Sequence, residues 1–407
     1  MKIFVEILPW ILVILVPALS YVKKAFTLGA ALSAIVLLAI IAISGNGCLY
    51  VIVFSFFLIA LVEKIVKTIG KSKPDLINKK SGPRDVIQLF ANGGAALVLS
   101  IILLCTGSKL CVFGFVAATA EALGDSSASA IGSSSKGKVV DICRREEVPK
   151  GLSGGISLWG SLSCIMACII VAFFAVAIGL ISSQESVCII ISSCICCFLD
   201  SVLGSCVQVK YRCKKCGAIT EKEIHCDEET GYYSGIKFID NDCVNAICNV
   251  FSGGIAIALV CLPFSLLVSG ILYIIIAIAL IWLASAAHEL GHALGCIVSG
   301  SKISAIHMTP FIYLNGKLST SFLSKEKNCC IFQSPSGRKA IMVYLSGPIV
   351  NLLFGIFFLI YMLAFGGKTV CILGMAINTF KFMSNIIPRG NNDGRAIHKI
   401  LSETEVE

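Results

Sequence analysis

The run Ile271 to Val298, ILYIIIAIALIWLASAAHELGHALGCIV, decides the reading of this chain. It exceeds the ~20 residues that a helix needs to cross a bilayer, and its only charged side chain is Glu289. Near its end stands His288-Glu289-Leu290-Gly291-His292. Two histidines at this spacing share one helical face, so both imidazoles reach one metal ion. The glutamate beside the first is placed to act as a general base on a water activated by that metal. A lone histidine in an apolar run is ordinarily a satisfied core residue. Two histidines and a glutamate at membrane depth cost several kcal/mol unless paired or coordinated, so together they mark function.

The surrounding composition sets the class. Of 407 residues 57% are hydrophobic and 14% charged, and the mean hydropathy is +0.90; no soluble domain of this size is so apolar. The fold class is an all-α polytopic membrane protein with about eleven transmembrane helices. The spans read as 5–21, 26–44, 48–63, 89–105, 109–127, 157–182, 186–206, 250–268, 270–298, 340–364 and 369–387. No small-residue cleavage site follows the first, so it reads as a span rather than a signal peptide.

The net charge of +9 lies in loops, which is not a nucleic-acid footprint, and no nucleic-acid partner is expected. Lys64, Lys67, Lys71, Lys73, Lys79, Lys80 and Arg84 share one loop. Lys136, Lys138, Arg144, Arg145 and Lys150 share a second, and Lys210, Arg212, Lys214 and Lys215 open a third. Even numbers of spans separate these loops, so they share a side, and the positive-inside rule makes that side cytoplasmic. Most of the 21 cysteines fall in spans, as in Cys194-Ile195-Cys196-Cys197, where they act as small apolar residues. Disulfides are not expected in reducing cytosolic loops.

The chain divides near residue 250, without an internal repeat relating the parts: a membrane domain over 1–250, with a polar cytoplasmic insertion at 207–248, and a second over 251–407. In the second, a hydrolytic zinc needs a third protein ligand and an open position. Asp393 is the best candidate, in Asn385-Ile386-Ile387-Pro388-Arg389-Gly390-Asn391-Asn392-Asp393-Gly394. Pro388 ends or kinks the preceding span, which lets the chain turn back toward the metal. Taken alone, Asp393 would be a solvated loop acid. Ile303–Leu314 and Lys317–Phe322 flank Asn315-Gly316, a strong hairpin signal. His307 within it reads as a surface residue rather than a ligand.

These motifs together resemble the site-2 protease family of intramembrane zinc metalloproteases over about residues 252–400. Gly347-Pro348-Ile349-Val350-Asn351 is similar to that family's intervening glycine-proline-asparagine helix. The resemblance implies catalytic Zn²⁺ held by His288, His292 and Asp393, with Glu289 as base, the hairpin near the site and a membrane-embedded peptide or transmembrane protein as substrate. An extended substrate would add a strand to the hairpin edge, since a helical one hides its carbonyls. Asn351 and Asn385 are candidates to support the oxyanion or the hairpin.

The first domain gathers glycines, serines, lysines and aspartates at span ends. The blocks are Ser81–Gln88 with Asn92-Gly93-Gly94, Gly124-Asp125-Ser126-Ser127-Ala128-Ser129-Ala130-Ile131-Gly132, Gly151–Ser157, Asp200–Ser205 and Asp240–Asn245. Glycine-rich turns at helix starts offer N–H groups to phosphate, although small residues also simply let spans pack closely. Asp125 and Asp200 are candidate Mg²⁺ ligands, with Lys136 and Lys138 nearby for nucleotide phosphates. The blocks resemble the transmembrane protein 19 family over roughly 20–260, whose plant members are linked to phytyl-phosphate kinase activity. The Asp125 stretch is similar to the nucleotide-binding stretch of phytol and dolichol kinases. That resemblance implies CTP as donor and an isoprenoid lipid as acceptor. It departs at Ala130, where the pattern carries a glutamate; Glu121 lies one turn before Asp125. The alternative for this domain is a non-catalytic scaffold or transporter. In the insertion, Cys213-Lys214-Lys215-Cys216-Gly217 followed by His225-Cys226 offers a complete tetrahedral set for a structural Zn²⁺; the alternative is reduced free thiols.

Overall fold

The computed structural model describes residues 2–69, 82–308, 311–314, 317–320, 329–333, 337–390 and 392–404. Lys71, Lys73, Lys79, Lys80, Ser81, the Asn315-Gly316 turn and Asn391 lie outside the described residues. Two compact units appear, Met1–Phe264 and Ser265–Glu407.

The first unit contains α1 (Lys2–Val22), α2 (Leu28–Ser44), α3 (Asn46–Ile69), α4 (Val86–Thr106), α5 (Leu110–Ser134), β1 (Val140–Asp141), β2 (Gly155–Ile156), α6 (Leu158–Ala177) and α7 (Ser183–Cys206). After these come the small strands of the insertion, β3 (Lys210–Arg212), β4 (Ile219–Thr220), β5 (Ile224–His225), β6 (Glu228–Glu229) and β7 (Gly231–Ser234), and then α8 (Asn241–Val260). The second unit is built from α9 (Phe264–Ser299), β8 (Ile303–Met308), β9 (Phe311–Leu314), β10 (Lys317–Thr320), β11 (Cys329–Phe332), α10 (Arg338–Phe365), α11 (Lys368–Ile386) and α12 (Asp393–Thr404). The protein is an all-α polytopic membrane protein, and ten of the eleven spans read from hydropathy each fall on one helix, whereas 250–268 crosses the break at 261–263 from α8 into α9, because the apolar run continues through Pro263. Eight of these helices are long and apolar enough to cross a bilayer by length and composition, and α1 and α2 supply shorter apolar stretches.

Polar residues at helix starts explain where the spans begin. Thr27 caps α2 by accepting from Ala30 N–H. Asp85 and Gln88 form a reciprocal capping box at α4, and Ser182 and Glu185 form another at α7. Ser157 caps α6 and Asp240 caps α8. The block around Arg84 is therefore a helix start: Arg84 exchanges backbone hydrogen bonds with Ala25 and Thr27 and pairs with Glu63 at 2.9 Å.

Helix α5 is the axis of the first unit. It packs against α3, α4, α6, α7 and α8 and is buried along nearly its whole length, from Cys111 to Ser133. Small residues allow this. An added Cβ at Gly114 would lie 3.2 Å from the Gly253 carbonyl, and one at Gly124 would lie 2.9 Å from Cys197 Sγ. Helix α8 starts nine residues before the span read from hydropathy, because Asp242 and Asn245, both buried, occupy its first turns. Polar residues facing other helices rather than lipid do not register as hydropathy.

In the second unit the hairpin is part of a four-stranded antiparallel sheet in the order β10-β9-β8-β11. The β9–β10 pairing has Leu314 opposite Lys317, as the Asn-Gly signal requires. Strand β11, not anticipated from the sequence, pairs with β8 and occupies the other edge. His307, read as a surface residue, is buried on β8 opposite Cys329, because β11 covers the strand that the hairpin alone would have left open.

Candidate metal centre and associated clusters

His288 and His292 lie one turn apart on α9, buried at 6% and 5% exposure. Both rings are held from behind. Asn351 Nδ2 donates to Ala284 O (2.9 Å) and to Asn378 Oδ1 (3.1 Å). Its Oδ1 is thereby turned to accept from His288 Nδ1–H at 2.8 Å. His292 Nδ1–H donates to Val343 O at 2.8 Å. With both Nδ1 atoms protonated, both Nε2 lone pairs are free. Asn351 is fully buried, and its carboxamide is taken up by Ala284, Asn378 and His288. Asn385 bonds back to Lys381 O in its own helix (2.9 Å), which satisfies its amide away from the histidines.

Asp393 opens α12 and closes the triangle. His288 Nε2 lies 3.1 Å from Asp393 Oδ2, His292 Nε2 lies 3.4 Å from the same oxygen, and the two Nε2 atoms are 3.2 Å apart. Lone pairs facing one another at this range repel unless a cation or proton lies between them. A tetrahedral zinc with ~2.0–2.1 Å bonds spaces its ligand atoms by about 3.3 Å, so the three donors fit that ion. The reach of Asp393 depends on Gly394, where a Cβ would overlap the Ile386 carbonyl. Gly347 works the same way: a Cβ there would stand 2.6 Å from His292 Nε2. Glycines at 291 and 295 bring α9 against Ser346 of α10. Glu289 is on the same turn, with the Cys330 backbone of β11 beside its carboxylate, and the Phe332 ring centroid is 6.4 Å from that of His292. The sheet edge nearest the site is thus β11. Sequence reasoning also passed over Lys381 of α11, whose Nζ donates to Ser285 Oγ at 2.6 Å, one turn before Glu289; a lysine inside an apolar helix was the available signal.

Asn351→Ala leaves His288 Nδ1–H without its acceptor, and zinc affinity is expected to fall by about 10–100-fold. Asn351→Asp, which still accepts, should retain more. Chelator competition measures this, and equal affinity of the alanine variant and the wild type would remove the orienting role.

The insertion brings together all four residues of its cluster: Cys213, Cys216, His225 and Cys226 present ligand atoms within 4.8 Å of one another. Local backbone builds it. Cys216 N–H points at Cys213 Sγ (3.5 Å) and Gly217, left-handed at φ 73°, closes the turn onto Cys213 O. Cys226 and Asp227, at φ 58° and 62°, form the two-residue turn between β5 and β6. Left-handed backbone is costly for residues other than glycine, and here it aims the Cys226 thiol at His225 Nδ1 (3.2 Å). The backbone N–H of Cys216, ahead of opposing desolvation and with the help of His225, brings the Cys213 thiol down to about 6. Its thiolate is therefore available at neutral pH, and zinc affinity at this cluster should weaken as pH falls through about 6. Cys213→Ser is expected to remove one zinc per chain and leave zinc at the histidine site; metal analysis of that variant checks both halves of the statement.

The first unit brings only part of the residues proposed for nucleotide together. Lys138 is exposed beyond the end of α5 and pairs with Glu147 at 2.8 Å. Lys136 is exposed. Asp200 lies with Glu121 and Cys248, and Asp125, half-buried one turn further along α5, is near enough to act on both carboxylates. The physical reason is burial: Asp200 sits inside α7, and the lysines follow a helix end. The Gly151–Ser157 loop serves packing. Gly154, at φ 87°, leaves no room for a Cβ against Ser205, and Ser153 N–H is taken by Glu221 at 2.9 Å.

Comparison with known proteins agrees with two domains. Residues 11–253 match the family described as integral membrane protein DUF92. The chain belongs to that family. Residues 254–389 match the Peptidase M50B-like family, and Asp393 lies just beyond the matched segment. The DUF92 domain is similar to Protein VTE6, chloroplastic, of Arabidopsis thaliana, at 27% identity over 51% of this chain and 56% of that protein. It is also similar to the uncharacterized membrane protein sll0875 of Synechocystis, at 25% identity over 40% of this chain and 64% of that one. The chain thus spans less than two thirds of the curated relatives it matches. No solved structure matches the chain.

Proposed function

We propose that the M50B-like domain, assigned to residues 251–407, is a zinc metalloendopeptidase that cleaves membrane-embedded or membrane-proximal peptide, fused to the DUF92 domain of residues 1–250. The observation that carries this reading is the convergence of His288 Nε2, His292 Nε2 and Asp393 Oδ2 at 3.1–3.4 Å beside Glu289. When bound there, zinc supplies a Lewis acid that activates water and polarises a carbonyl. His288 and His292 turn Nε2 toward the metal position because Asn351 and Val343 hold their Nδ1 protons. Glu289 takes the proton of the attacking water and delivers it to the leaving nitrogen. Among the described residues β11 is an edge strand, the position at which an extended substrate strand can add and so free its carbonyls from helical hydrogen bonds. The basic loops, by the positive-inside rule, face the cytoplasm. We also propose that Cys213, Cys216, His225 and Cys226 hold a second, structural zinc.

The test is cleavage of a transmembrane peptide by the purified full chain in liposomes. Activity should disappear when a chelator strips the metal and return with added zinc. Cleavage that survives complete zinc removal would refute the metalloprotease reading.

A further inference from the structure

The interior of the DUF92 domain contains a carboxyl group that nothing in the mechanism above uses. Glu121 lies near the middle of α5, about 16 Å from the Leu110 end and about 20 Å from the Ser134 end at the helical rise. Its exposure is 1%, and neither carboxylate oxygen has a hydrogen-bond partner. Buried polar groups are normally satisfied, and a buried carboxylate without partners is among the costliest exceptions. Asp200 of α7, itself 9% exposed, and the Cys248 thiol of α8 lie within 4.8 Å of it.

Four of the five helices packed on α5 supply no positive charge: α4, α6, α7 and α8, like α5 itself, contain not one lysine or arginine, and the lysines of α3, Lys64 and Lys67, lie in its last two turns. The helices do supply amides. Asn245 Nδ2 donates to Asp200 Oδ2 at 3.1 Å and so braces it. Asn249, 1% exposed, has an Oδ1 with no partner. The antiparallel register of α5 and α8 fixes its level: Ser252 donates to Ala117 O at 3.0 Å, so one turn along each helix sets Asn249 opposite Glu121. An orphaned carboxamide oxygen thus stands level with the Glu121 carboxylate, and the cation nearest along α5, Arg84, acts one turn away on Asp125.

We propose that Glu121, Asp200 and Asn249 form a buried site for a hard divalent cation, with Asn245 positioning Asp200. Carboxylate and carboxamide oxygens are the donor set of Mg²⁺, Mn²⁺ and Ca²⁺. The ion offsets the carboxylate charge and ties α5, α7 and α8 together at the core of the unit. This site is independent of the protease reading, because all its ligands lie in the first unit.

The experiment uses zinc-replete full chain, so that the histidine and cysteine clusters are filled, and titrates it with Mn²⁺ followed by electron paramagnetic resonance. One further Mn²⁺ per chain is expected, displaced by Mg²⁺. Glu121→Gln and Asp200→Asn should each weaken it by at least about tenfold, and Glu63→Gln, at the Arg84 pair, should not. Asn249→Ala is the milder variant should either carboxylate change prevent folding, with the same direction expected. Wild-type protein that takes up no Mn²⁺ overturns the proposal. So does a protonated-carboxyl infrared band that persists in Mn²⁺ and vanishes in Glu121→Gln, which would make the pair a shared-proton site.

Discussion

Glu289→Gln is expected to keep zinc and fold while lowering cleavage by about 10²–10⁴-fold, the range over which a positioned general acid–base acts. Glutamine is nearly isosteric, and the donors that converge on the metal position belong to His288, His292 and Asp393, so the substitution touches proton transfer alone. The half-buried carboxylate sits against the Cys330 backbone and next to both imidazoles, the position from which a proton passes between water and a leaving nitrogen. Metal analysis and single-turnover cleavage in liposomes separate the two functions. If zinc leaves together with activity, Glu289 belongs to the metal's support; if cleavage persists near the wild-type rate, another group is the base.

The legible part of this protein was the part written in periodicity. Apolar runs of bilayer length gave eleven helices because side chains facing lipid and side chains facing other helices are both apolar over most of each span. The histidine pair was readable because i and i+4 share a helical face whatever surrounds them. Asp393 was readable from the proline break and the glycine after it, and Gly394 indeed packs where a Cβ has no room.

What escaped reading depends on contacts between segments distant in sequence. Strand β11 is only Cys329–Phe332, too short to show alternation, and it exists because β8 offers it an edge. Asn351 reads as support for the oxyanion or the hairpin; its hydrogen bonds to Ala284, Asn378 and His288 join three helices, which no single stretch of sequence displays. The aspartates and lysines of the first unit looked like one phosphate site because they fall at or near span ends on the same side. Helix α5 carries Asp125 and Glu121 inward, while the chain beyond its end takes Lys138 out to Glu147. Asp240–Asn245 read as a polar approach because hydropathy cannot distinguish water from a buried polar partner such as Asp200.

His288→Ala with His292→Ala should strip the catalytic-site zinc entirely, which makes it the companion test of largest effect. The two imidazoles supply two of the three ligand atoms, and a lone Asp393 carboxylate does not hold zinc against water at neutral pH. The wild-type chain is expected to carry two zinc ions, one at this site and one at Cys213, Cys216, His225 and Cys226, so the double variant should fall to one and Cys213→Ser should also fall to one. Combining all three substitutions should leave none. The cysteine cluster lies in the first unit, so the zinc it retains reports the fold of that unit, and circular dichroism of the double variant reports the helices of the second. Asp393→Asn should fall between the extremes, because its carboxamide oxygen still faces the two Nε2 atoms but brings no charge. Full zinc occupancy in the double histidine variant would mean that the metal sits elsewhere, and the protease reading would lose its centre.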